Sequence, residues 1–422
     1  MYANRYSRVR RVQRRIRRFR LYAACASIRK HRLSCNDLLL YRRQKKKLKK
    51  LLTCRYLNRR SSYRKFRKQS RRRAEMFLRS GVGSFLNEEE FKNEYGMSRT
   101  SFDRLYNLIK DHRVFRNDRT QGVKQTPIKH QLLVLLSFLR TEGNGKSNRR
   151  GRTTFDMGSG TQSLCRHRCV VAVCDTLGDQ IDWPEEEERD AIAARIKRDH
   201  KLPNCVGVAD GTILPLAFKP ETEDAADYFC RKRCYALTML VINDDNRRIR
   251  YIHVGWPGCT HDDRVFRNSH IAVGHRHYFS PAQYLLGDSA YSCQDFMVSA
   301  YKKSANRELD RGQEIFNKTL SSPRVESEHA IGMLKGRWPF LRSIRMRIRK
   351  DNPKACLKRI FYYIRCCVIL HNLLLDDEID EFDDDDVSVI DADNVLNRPQ
   401  PVGMNKDFRR EELKNYILEK YH

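Results

Sequence analysis

No stretch of this chain approaches the roughly 20 consecutive apolar residues that a membrane-crossing helix requires, so no membrane partner is expected. Zinc-ligand spacing is missing too. There is no CxxC and no HxxxH, and the two cysteine pairs nearest to such a pattern, Cys165/Cys169 and Cys230/Cys234, are each four residues apart. The chain opens on arginines instead of the apolar run of a signal peptide, which predicts free thiols in a reducing compartment for its 14 cysteines. Acids are almost absent from the first 80 positions, where only Asp37 and Glu75 stand against 30 Lys and Arg.

What is abundant is positive charge. Across 422 residues, 84 Lys and Arg face 52 Asp and Glu, a net +32, which points to a polyanion such as DNA or RNA. Residues 1–80 hold +28 of it, in clusters such as Arg14-Arg15-Ile16-Arg17-Arg18-Phe19-Arg20. The interspersed apolar residues allow short amphipathic helices, so this arm reads as a partly disordered nucleic-acid contact, compatible with nuclear import. Asp376 to Asp393 carries 11 carboxylates and no base, and reads as a linker. A chain this long is expected to fold as two or three units.

Between these segments two patterns follow one another. Residues 81–202 read as a helical region: Glu88-Glu89-Glu90-Phe91 and Ser98 to Leu105 have acidic or hydroxyl starts, and Ile128–Arg140 and Ser159 to about Leu177 flank a Gly/Ser/Asn-rich stretch. That order predicts a helix-turn-helix, with Arg166 and Arg168 on its recognition helix as DNA contacts; an ordinary helical subdomain with surface arginines is the alternative. Residues 203–375 mix short strand-like runs, at Cys205–Asp210, Tyr235–Ile242, Arg250–Val254 and Tyr284–Asp288, with helical patterns at Gln294–Lys302, Val325–Lys335 and Ala355–Leu375. The alternation predicts an α/β domain. Residues 376–422 add the acidic linker and a last helix at Lys406–Tyr421.

Four acidic positions have apolar, Gly or turn neighbours instead of surface charge. Period-two alternation places Val206, Val208 and Asp210 on one strand face, and Asp210 is followed at once by Gly211. Asp288 again ends an apolar run. Asp262 follows the turn Pro257 to Thr260, and Glu328 shares a helix face with Arg324 and Lys335. Taken singly, each acid reads as a cap, a turn residue or a surface charge. A helix carboxylate facing strand-end carboxylates would make a site for Mg²⁺ or Mn²⁺, which prefer oxygen ligands.

In order, Asp210-Gly211-Thr212, Tyr228-Phe229-Cys230-Arg231-Lys232, Pro257-Gly258 with His261-Asp262 and Arg264-Val265-Phe266, Gly287-Asp288-Ser289 with Tyr291, Glu328 with Gly332 and Lys335, and His371-Asn372 resemble the PIF/Harbinger transposases and the host proteins derived from them, a branch of the DDE transposases. The similarity runs from about Phe85 to Leu375. It implies an RNase H-like catalytic domain with Asp210, Asp288 and Glu328 as the DDE triad. Asp262 would be an additional acid near the metal; it is preferred over Asp263, which does not directly follow His261. Glu328 is preferred over Glu326 because only it satisfies the spacings to Arg324, Gly332 and Lys335. The sequence departs from the family at Ala290, where Gly is usual, and in the length of its basic arm.

The expectation is therefore a nuclear, divalent-metal-dependent endonuclease that cuts DNA at transposon ends and, in an active transposase, performs strand transfer. Arg231, Lys232 and Lys335 are candidate phosphate contacts. The resemblance further implies a homo-oligomer on DNA and a second, element-encoded DNA-binding protein. Two other readings compete: a domesticated DNA-binding or chromatin protein that keeps the fold without cleaving, and a basic RNA-binding protein, which accounts for residues 1–80 but not for the acids.

Overall fold

Local capping sets the first helices. In the computed structural model, α1 (Glu88–Tyr95) starts where the Asn87 side chain accepts from the Glu90 amide at 2.7 Å and Glu90 accepts from the Asn87 amide at 2.8 Å. Helix α2 (Arg99–Ile109) is capped by Ser98, and α5 (Glu186–His200) places three Glu in its first turn and Lys197, Arg198 and His200 in its last, matching the helix dipole at both ends. Between them lie α3 (Ile128–Leu139) and α4 (Ser159–Thr176). The structure describes residue 46 and residues 86–116, 125–142, 154–155, 157–303, 308–375 and 407–421. The basic arm and the acidic stretch expected from the sequence lie outside the described residues.

Five strands form one mixed sheet in the order β3-β2-β1-β4-β5: β1 (Cys205–Pro215), β2 (Ala236–Asn243), β3 (Ile249–Pro257), β4 (Tyr284–Gly287) and β5 (Met297–Ser299). Strands β1, β2 and β3 are antiparallel, whereas β4 and β5 run parallel to β1. Short helices α6 (Asp262–Arg267), α7 (His270–Val273) and α8 (His275–Tyr278) follow β3; α9 (Arg311–Arg337), α10 (Pro353–Leu373) and α11 (Phe408–Tyr421) complete the chain. Residues 82–422 form one compact unit, so the helices before residue 203 share it with the sheet.

The sheet buries both faces. On one, Val206, Ala209, Leu240 and Leu285 pack with Val265 and Phe266 of α6 and with Tyr291 and Phe296. On the other, Cys205, Val208 and Leu286 meet Ile192 and Ile196 of α5, Phe316 and Leu320 of α9, and Leu413 and Ile417 of α11. This corrects the simple alternation expected for β1. Its register shifts between Cys205 and Val208, at Gly207, where a Cβ would sit 2.8 Å from the Asn243 carbonyl. The irregularity sends Val206 to the face opposite Val208.

Two other sequence expectations change. Gln294–Lys302 is not helical. Its apolar centre is buried, with Met297 and Val298 in β5 alongside β4 and Phe296 just before it, and periodicity cannot separate a short fully buried strand from a helix. Helix α4, the expected recognition helix, packs against α2, α3 and α10, and its buried residues include Cys165, Arg166, Cys169, Val170 and Val173, while Gly160, Leu164 and His167 stay exposed.

Helix α10 holds the edge strand. Asn372 accepts from the Ile249 amide at 3.0 Å and donates to the Ile249 carbonyl at 2.8 Å and the Gln180 carbonyl at 2.7 Å. The neighbouring His371 is fully buried, with Nε2 3.3 Å from the Arg247 carbonyl oxygen. The His-Asn pair thus acts as a structural bracket.

Candidate metal centre

Strand register brings the first two acids together. Val208 of β1 partners Leu286 of β4 in parallel; Asp210 and Asp288 each lie two residues further on, at the point where the pairing ends. Neighbouring strands are about 4.8 Å apart. Asp262, the first residue of α6, arrives from beyond β3. It lies so close to Gly211 that a Cβ there would sit 2.1 Å from its Oδ1. Glycine at 211 is what lets this carboxylate approach β1.

The surroundings of Asp210 and Asp262 disfavour their charged forms. Burial, followed by the charges of Asp288 and Asp262, pushes Asp210 up to about 7. Burial and Asp288 push Asp262 up to about 6, with Arg231 and His261 pulling the other way. No Lys or Arg among the described residues makes an ion pair with Asp210, Asp262 or Asp288. Their hydrogen bonds are local, from the Gly211 amide to Asp210 Oδ1 and from the Ala290 amide to Asp288 Oδ1, both 2.8 Å. Asp263 differs: its Oδ1 accepts from the Ser292 amide at 2.9 Å and it pairs with Arg267.

Tyr291 closes the pocket, and sequence reasoning gave its side chain no role. Its ring lies over Gly287, where a Cβ would meet Cδ2 at 2.7 Å, and stacks edge-on against Phe266. Burial, with Asp262, Asp210, Asp288 and Asp263 facing it, holds the phenol far above its ordinary range. Its buried hydroxyl meets no hydrogen-bond partner among the described residues.

Helix α9 approaches the same pocket with Arg324, Glu328 and Lys335 along one face. The Arg324 charge acts on Asp210, and Lys335 Nζ donates to Thr212 Oγ1 at 2.6 Å and to the Ile213 carbonyl at 3.0 Å. Burial and Lys232 hold the Lys335 ammonium down to about 8, against the pull of Asp210. Glu328 stands between these bases, 3.8 Å from Arg324, with its side chain 58% exposed. Glu326 points elsewhere, into an ion pair with Arg247 at 2.7 Å in the β2–β3 turn.

The expected DNA contacts separate. Arg231 and Lys232 are exposed beside the pocket. Arg168 is half-buried, and its charge acts on Cys165 and Cys169. Arg166 is withdrawn from solvent, with its guanidinium 4.1 Å from the centre of the Phe138 ring and its charge acting on Tyr363, so it is not available to a base edge. Its stem and planar head serve the helical core.

Three half-buried aspartates, set against a glycine that keeps the space open, fit a hard divalent cation, which takes oxygen ligands. Among the described residues no three His, Cys, Asp or Glu stand within reach of one ion. The acids would have to draw together on it.

The comparisons agree with this chemistry. Residues 209–372 match the DDE superfamily endonuclease family, a span that contains all four acids. It is also similar to Protein ALP1-like of Arabidopsis thaliana, at 23% identity over 325 residues that cover 74% of this chain and 77% of that protein. No solved structure gives a significant match. Among the described residues no helix is long and apolar enough to cross a membrane.

Proposed function

We propose that the protein is a divalent-metal-dependent DNA endonuclease of the PIF/Harbinger type, with an RNase H-like domain acting in the nucleus. The carrying observation is the half-buried Asp210, Asp262 and Asp288 trio, whose mutual repulsion has no ion-paired base to answer it among the described residues. The β3-β2-β1-β4-β5 order, with three antiparallel strands followed by two parallel ones, supports the fold assignment. Asp210, Asp262 and Asp288 would hold Mg²⁺ or Mn²⁺, and Glu328 would turn in from α9 to complete the DDE set. Bound there, such ions activate water and stabilise a leaving 3′ oxygen, and strand transfer would use the same centre. Arg231 and Lys232 are placed to contact the phosphates of DNA approaching the pocket. Lys335, tied to Thr212 and Ile213, positions β1 beside Asp210. A homo-oligomer on DNA and a second DNA-binding protein belong to this proposal.

A second reading is favoured by Glu328, whose exposed side chain leans on Arg324 instead of the aspartates. A non-cleaving DNA-binding protein would have that geometry. Two assays run together separate the readings: DNA cleavage with Mg²⁺ or Mn²⁺, and retention of the same DNA without metal, for wild type and Asp288→Asn. The nuclease loses cleavage in the variant and keeps retention, because the substitution removes one negative charge from the pocket while leaving its shape. Wild-type protein that holds DNA and never nicks it, even with element ends and a partner protein supplied, would establish the binder.

A further inference from the structure

The turn that carries Arg231 and Lys232 is closed by two thiols. The Cys230 amide donates to the Cys234 carbonyl at 2.9 Å, the Arg233 amide donates to the Cys230 carbonyl at 2.9 Å, and Phe229 bridges Tyr235 in antiparallel fashion. Arg233 takes a left-handed φ of 58° to make so short a reversal. The result places Cys230 Sγ 3.5 Å from Cys234 Sγ.

Access distinguishes this pair from the remaining thiols. Cys230 is buried and Cys234 half-buried, but Arg231, Lys232 and Arg233 between them are exposed. Among the other described thiols, Cys165, Cys169, Cys174, Cys205, Cys293, Cys366 and Cys367 are buried, whereas the half-buried Cys356 and the exposed Cys259 have no sulfur within hydrogen-bond reach among the described residues. Residues facing each other across an antiparallel pair have Cβ atoms about 4.5–5.5 Å apart, near the about 3.5–4.5 Å of a disulfide.

We propose that Cys230 and Cys234 are a redox pair that closes to a disulfide across the basic turn at the lip of the acid pocket, using a small-molecule disulfide such as oxidised glutathione as the oxidant. In the first step the Cys234 thiolate attacks one glutathione sulfur and expels a glutathione thiolate. Cys230 then attacks the Cys234 sulfur of the mixed disulfide and expels the second. The protein loses two electrons and two protons, and two molecules of reduced glutathione carry them away. Burial and the neighbouring Cys230 hold the Cys234 thiol up to about 11, so closure is slow at neutral pH and answers to sustained oxidation.

Closure would fix the carriers of two charges that already reach the centre: Arg231 acts on Asp262, and Lys232 acts on Lys335. The effect on DNA rests on the nuclease reading, whereas formation of the bond does not. The full-length protein is incubated with oxidised glutathione, its free thiols are alkylated and its peptides are mapped. A Cys230–Cys234 link is expected ahead of any link in the core. It is reversed by dithiothreitol and absent from Cys234→Ser. In parallel, retention of duplex DNA is expected to change at least threefold on oxidation of wild type and to stay constant for Cys234→Ser. Failure to find the link overturns the proposal, as does a link that leaves wild-type retention unchanged. If reduced wild type and Cys234→Ser both fail to hold DNA, the DNA-binding reading falls, and the redox pair stands or falls on the peptide map.

Discussion

Two groups of acids adjoin apolar strand residues in the same sheet, and they are treated oppositely. After β2, Asp244 is almost fully buried but accepts from Arg250 Nε at 2.8 Å and from the Asn246 and Arg248 amides at 2.9 and 3.0 Å. Its neighbour Asp245 takes a two-pronged bond from Arg195 at 2.6 and 2.8 Å. Within β1 and after β4, Asp210 and Asp288 receive one local backbone bond each and, among the described residues, no ion-paired base. An acid that holds a turn is neutralised by the fold itself. The acids of the proposed metal centre lack such partners among the described residues, which costs the fold stability.

The contrast is most easily broken at the β2–β3 turn. Arg250→Ala strips a largely buried partner from Asp244 and is expected to cost about 3 kcal/mol of unfolding free energy in denaturant titration; a loss under about 1 kcal/mol would mean that the backbone amides suffice. In the pocket, Gly211→Ala would drive a methyl group into Asp262 Oδ1. It is expected to lower cleavage about 100-fold, equivalent to about 2.7 kcal/mol, while circular dichroism remains native. Cleavage at the wild-type rate would remove Asp262 from the centre.

The third test uses pH. Asp210 is held up to about 7, above its ordinary value of 3.8, so the stability linked to its proton is complete below pH 3.8 and is lost as pH rises through 7. Without divalent metal, Asp210→Asn is therefore expected to match wild type near pH 4 and to exceed it by on the order of 2 kcal/mol at pH 8. Saturating Mg²⁺ or Mn²⁺ should narrow that gap by stabilising wild type alone. An equal gap at both pH values would show that the charge is not the cause. The smallest effect belongs to Glu326→Gln, which loses a partly exposed ion pair with Arg247 and is expected to cost under about 1 kcal/mol with cleavage intact. Abolished cleavage there would move the helix acid from Glu328 to Glu326.

Sequence patterning could find Asp210 and Asp288 because each ends an apolar run, but Asp244 ends one as well. What separates them is the placement of Arg250 across the turn and Arg195 on α5, which depends on tertiary contacts. The Asp210-Gly211 dipeptide hinted at a close approach without naming Asp262 as the visitor. The strands after residue 203 were legible to within a few residues, apart from β5, which is too short to show a period, and the shift at Gly207. Arg166 looked like a surface arginine because composition cannot see Phe138 closing over it. The last helix was anticipated, but not its docking: Leu413 and Ile417 share the core of α5 and α9, and Tyr301 donates to Glu411 at 2.7 Å.

The Asn372 bracket has a consequence for self-association. Ile249 begins an edge strand, and its amide and carbonyl are the groups that another copy's strand would use to extend the sheet. Asn372 occupies both, so the growing point is capped from within the chain by one amide side chain. Further along, Phe361 of α10 lies 3.2 Å from where a Gly255 Cβ would be, narrowing the approach to the same strand. Exposed sheet edges that come into register favour irreversible fibre growth, and this block works against it.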